Sequence, residues 1–172
     1  TTGTQNTSLG RVSMYTNTTG DYNLAAGTVA LYYNTTGSNN IALGVEALHN
    51  NTTASNNVSV GYQALKANTT GTQQVAIGRQ AMYSTTTGSQ NTAVGQRALY
   101  DNSTGATNVA LGYSALENNT TASNNTAVGY QALLDNTTGT INTALGRQAL
   151  ANNTTGADNT AVSYAMVTNT TG

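Results

Sequence analysis

General acid–base catalysis most often rests on a histidine, and His49 is the one histidine in this 172-residue chain. Equivalent places elsewhere in the sequence hold Tyr15, Lys66, Tyr83, Glu117 or Ala151, so nothing marks His49 as a general base with an oriented partner. The acids Asp21, Glu46, Asp101, Glu117, Asp135 and Asp158 share no common place in the repeat described below, which leaves no paired carboxylates for glycoside chemistry. The Asp-rich nonapeptide of calcium-binding rolls is missing, and no Gly-Lys-Ser/Thr loop could cradle a phosphate. No catalytic residue, metal ion or cofactor is expected.

Asn, Thr and Gly are the residues that do recur at fixed spacing. Asn-Thr-Thr or Asn-Ser-Thr stands at Asn17, Asn34, Asn51, Asn68, Asn102, Asn119, Asn136, Asn153 and Asn169, each formally an acceptor for an N-linked glycan. The same residues suit a turn, because Asn tolerates left-handed geometry and Thr bonds locally to the backbone. Thr85 interrupts the Asn series yet leaves Thr-Thr-Gly intact, which favours the turn over the acceptor. Rows of Thr such as Thr19, Thr36 and Thr53 also admit another function, ice binding on a flat face.

These residues are positioned by a period of 17, from Gly3 through Gly20, Gly37, Ala54, Gly71, Gly88, Gly105, Ala122 and Gly139 to Gly156. Three places on comes Asn: Asn6, Asn23, Asn40, Asn57, Asn91, Asn108, Asn125, Asn142 and Asn159, with Gln74 the exception. A Thr or aliphatic, a small residue and a usually large aliphatic follow, an alternation that reads as a short strand. Next is a corner glycine, Gly10, Gly27, Gly44, Gly61, Gly78, Gly95, Gly112, Gly129 or Gly146. The unit closes through Ala-Leu or Ala-Met to Asn-Thr-Thr-Gly. A helical turn in that Ala-Leu segment is the competing reading. The last unit is one residue short, at Ser163-Tyr164-Ala165, and Arg11, Arg79 and Arg147 recur every 68 residues, the trace of a duplicated four-unit block.

A fixed short period implies units that bury their apolar side only by stacking. The expected fold is all-β: a parallel β-solenoid of ten 17-residue coils in a single array over residues 1–172. With coils about 4.8 Å apart, ten would extend roughly 48 Å, with Asn ladders running up the stack. The apolar inventory of each coil is thin, so burial between chains is expected to add to it. Both ends share the same phase, and neither shows a helix, charged run or Pro to cap a coil, so a longer chain or head-to-tail stacking is expected.

Composition narrows the partners. Asn and Thr make up about a third of the chain, charged residues only 6%, and the net charge is −1. Arg11, Lys66, Arg79, Arg97 and Arg147 form no phosphate-binding stripe, so nucleic acid is not an expected partner. The longest mostly apolar stretch, Leu24 to Leu31, is too short to insert into a membrane.

The phrase Asn-x-x-Ala-[Val/Leu/Ile]-Gly-x-x-Ala, as in NNTAVGYQA from Asn124 and SNNIALGVEA from Ser38, resembles the head repeats of trimeric autotransporter adhesins. Similar tandem repeats occur in bacteriophage tail fibres. The likeness covers every unit, though the closing Leu-x-x-Asn-Thr-Thr-Gly makes these units longer. It implies a left-handed β-roll, three chains about a common axis, and strand residues such as Ile41, Leu43, Thr126 and Val128 pointing into the roll. It also implies a non-enzymatic filament segment outside the cell or on a virion, with other copies of itself and a host receptor or surface glycan as partners.

Overall fold

The computed structural model describes residues 2–164. Ten three-residue strands follow one another: β1 (Thr7–Leu9), β2 (Leu24–Ala26), β3 (Ile41–Leu43), β4 (Val58–Val60), β5 (Val75–Ile77), β6 (Thr92–Val94), β7 (Val109–Leu111), β8 (Thr126–Val128), β9 (Thr143–Leu145) and β10 (Thr160–Val162). They form one parallel sheet in sequence order. Every partner lies 17 residues away, as in Ile41 with Val58 and Thr126 with Thr143, so the chain is a β-solenoid without bulge or slip in the ladder.

The strands face the opposite way from the roll that the resemblance implies. Their small middle residue points inward and is fully buried, as at Ala42, Ala93 and Ala127, while Ile41, Leu43, Thr126 and Val128 on either side point outward. The coil is too narrow for anything larger. Where Ser59 replaces the middle alanine, its hydroxyl reaches across the interior to donate to the Ala64 carbonyl at 2.8 Å. The opposite wall supplies an Ala-Leu pair from most described coils, such as Ala47-Leu48 and Ala132-Leu133, with Ala81-Met82 in coil five and Ser13-Met14 in coil one, so the apolar core is largely an alanine file against an alanine-leucine file.

The Ala-Leu segment is a run of turns rather than a helical turn. Its residues alternate between the two hands of backbone: Gln131 has φ 54 and Leu133 φ 52, and the same places are left-handed in other coils. A helix would send each amide back along its own segment. Here the Gln131 amide donates to Tyr113 in the coil below and the Leu133 amide to Ala149 in the coil above. A left-handed non-glycine residue costs about 1–2 kcal/mol, and the bonds to both neighbouring coils offset it.

Candidate functional site

The polar half of each coil is built on two files of asparagine. In one, Asn119 shows the pattern: its Nδ2 donates to Asn102 Oδ1 in the coil below at 2.9 Å and to the Ala122 carbonyl at 3.0 Å, while its Oδ1 accepts from Asn136 Nδ2 at 3.0 Å. Asn17, Asn34, Asn51, Asn68, Asn102, Asn136 and Asn153 belong to this file, and all but Asn17 are fully buried. In the second file, Asn125 accepts from the Asn142 backbone amide at 2.9 Å and donates to the Gly139 carbonyl at 2.9 Å. Asn6, Asn23, Asn40, Asn57, Asn91, Asn108 and Asn142 repeat that bond to the carbonyl above, and Asn159 in coil ten donates to Asn142 instead. The files converge, so the Gly139 carbonyl receives Asn125 from the coil below and Asn136 from its own approach, both at 2.9 Å.

This geometry places the Asn-Thr-Thr asparagines in the turn and its ladder, the reading that the intact Thr-Thr-Gly at Thr85 favours. From Asn34 to Asn153 the side-chain amides are fully buried, and they spend their hydrogens on the ladder. A glycan on such a nitrogen would break the stack. Asn169 lies outside the described residues.

Both exceptions fall in one coil. Thr85 cannot supply the amide that Asn68 Oδ1 requires, and Gln74, one methylene longer than the asparagine it replaces, donates its Nε2 to that oxygen at 3.3 Å. The Thr85 hydroxyl is buried without a partner. Gln74→Asn alone should strand Asn68 Oδ1, and Thr85→Asn alone should crowd the Gln74 amide, each costing about 1–3 kcal/mol. The double variant restores both files, so a double-mutant cycle from urea unfolding should show coupling of at least about 1 kcal/mol; additive losses would contradict the exchange.

Each corner glycine has φ between 127° and 148°. A Cβ at Gly95 would lie 2.6 Å from the Gly112 carbonyl carbon, so only glycine permits the next coil to sit down. Of the two turn threonines, one hydroxyl serves the stack, as in Thr120 to the Thr137 carbonyl at 3.0 Å. The other, in the file Thr19, Thr36, Thr53 and onward to Thr155, is exposed in every described coil.

Titratable groups are dispersed along the turn edge. His49 Nδ1 lies 2.7 Å from Asn50 Oδ1, and its ring stacks on Tyr32 at 5.5 Å. Glu46 is committed to Lys66 at 2.6 Å and Gln63 at 2.8 Å; these contacts hold its carboxyl below the usual range, and the same ion pair raises Lys66. Burial, then the neighbouring Glu117, pushes Asp101 up, while Glu117 itself pairs with Arg97 at 2.6 Å. Among the described residues no cleft or cavity surrounds these groups, and no three acids or histidines converge on a metal position. The tyrosines stack as ladders, Tyr83 on Tyr100 at 5.1 Å and Tyr113 on Tyr130 at 5.4 Å, so within each pair the facing ring surfaces are covered.

The outward strand side chains form a different surface. Two files, one running from Thr7 to Thr160 and the other from Leu9 to Val162, hold only Val, Ile, Leu, Thr and Ala, without one charge in ten coils. Ile77, Val94 and Leu145 are 37–39% exposed there. No helix among the described residues is long and apolar enough to cross a membrane. No family model, curated protein or solved structure matches the chain.

Proposed function

We propose that the chain is a non-enzymatic structural segment of an extracellular filament, surface adhesin or phage tail fibre, and that it works packed side by side with other copies of itself, three about a common axis. The observation that carries this reading is the charge-free outward strand face. A contiguous apolar strip along the whole array is the kind of surface that monomers avoid exposing, and burying it between chains supplements a thin core. Rigidity follows from ladders that repeat coil after coil.

Sedimentation velocity tests the association. The parent chain should sediment as a trimer, and Val94→Lys with Leu145→Lys should shift it to monomer with unchanged far-ultraviolet circular dichroism. A parent chain that stays monomeric at all accessible concentrations would contradict the proposal. One observation favours ice binding as a second reading: the uniform file of exposed threonines from Thr19 to Thr155. An ice-recrystallisation assay separates the two, since a side-by-side filament needs no activity there.

A further inference from the structure

We infer that coil ten is built as a stop, on which neither a further coil of the chain nor coil one of a second copy can stack in register. This goes beyond side-by-side packing, because it concerns growth along the axis. At every corner from Gly10 to Gly129, a Cβ would lie 2.5–2.7 Å from the carbonyl carbon of the corner above. The space over each corner therefore belongs to the next coil's backbone. In coil ten the corner is Ser163, held in place by its amide donating to the Leu145 carbonyl at 2.6 Å.

Ser163 carries a Cβ and has φ 70, against 127–148° at the nine glycines. Its backbone leaves the corner in a different direction, and a carbonyl laid over it as in the other coils meets either the side chain or a displaced chain path. The sequence points the same way. Coil four continues from its corner as Gly61-Tyr62-Gln63-Ala64, whereas coil ten reads Ser163-Tyr164-Ala165, so the glycine is replaced and the glutamine is missing. The spacing from Gly156 to Gly172 is accordingly 16 residues instead of 17.

An open strand edge is a template for another chain, and proteins blunt such edges. The substitution and the deletion together do so here, and they act against head-to-tail stacking.

Reversing both changes tests the stop: Ser163→Gly combined with insertion of one Gln between Tyr164 and Ala165, in the chain as it stands. Negative-stain imaging of the parent should show discrete rods of one length, roughly 48 Å for ten coils, at every concentration. The reversed variant should show rods in multiples of that length, increasing with concentration. Parent rods already joined end to end would overturn the inference. So would a variant with parent-like circular dichroism whose rods stay at the parent length. Failure of side-by-side packing would appear as a change in rod width, so the two proposals are read separately.

Discussion

Gly95→Val should cost the chain more than about 4 kcal/mol and open the stack between coils six and seven. The backbone at Gly95 has φ 138, a region that non-glycine residues occupy only at a cost of about 1–3 kcal/mol. The larger loss comes from position. Even a Cβ alone would stand 2.6 Å from the Gly112 carbonyl carbon, and backbone on both sides cannot swing away as a flexible side chain would. Separating the coils at that corner stretches the Gly112 amide bond to Val94 and the strand pairing of β6 with β7. In a stacked array each coil leans only on its neighbours, so the urea transition should shift sharply or split into two. Gln96→Val makes the control: it is exposed, and Val45 already occupies the equivalent place in another coil, so its effect should stay within about 0.5 kcal/mol. Equal melting of the two variants would contradict the corner geometry.

Asn119→Asp should be nearly as damaging, at about 3–5 kcal/mol at neutral pH. The amide nitrogen of Asn119 faces two acceptors, Asn102 Oδ1 at 2.9 Å and the Ala122 carbonyl at 3.0 Å. A carboxylate oxygen there turns two bonds into two repulsions and buries a charge with no countercharge, its other oxygen keeping only the Asn136 amide as donor. Burial raises the pKa of such a carboxyl in the folded state above its unfolded value, so the variant loses stability as pH rises through the unfolded carboxyl range and on to the raised value. Lowering the pH through the same window should restore part of the loss, because the protonated acid regains one donor. Asn124→Asp is the matched control: Asn124 is exposed, its Oδ1 only accepts, from Thr107 at 2.6 Å, and Asp158 holds the same place in another coil. Denaturation at several pH values should show a pH-dependent gap between the two variants.

The stacking period and the Asn and Gly files were legible because identical residues at a fixed spacing can only be meeting themselves. The direction of the strands was not. The alternation of aliphatic, small and aliphatic marks a strand without saying which set faces in, and the resemblance to adhesin heads implies the large residues inside. The residue size is set instead by the wall opposite: the middle strand place holds only Ala or Ser from Ser8 to Ala161, while its neighbours range from Ala to Leu and Ile. That uniformity of size was the available sign of a tight interior. The left-handed leucines had no such sign, since nothing in Leu133 or its neighbours prefers φ 52; the hydrogen bonds to the coils above and below impose it. Gln74 and Thr85 were both visible as exceptions, and only the contact of Gln74 with Asn68 shows that one answers the other.

Side-chain amide hydrogen exchange, followed by nuclear magnetic resonance, tests the buried ladders most directly. The Nδ2 hydrogens of Asn51, Asn119, Asn125 and Asn136 should be strongly protected, while those of the exposed Asn39, Asn56 and Asn124 exchange at nearly the rate of a free amide. If Asn119 and Asn136 exchange as fast as Asn124, the ladders are open to solvent and the coils are not held together in this way.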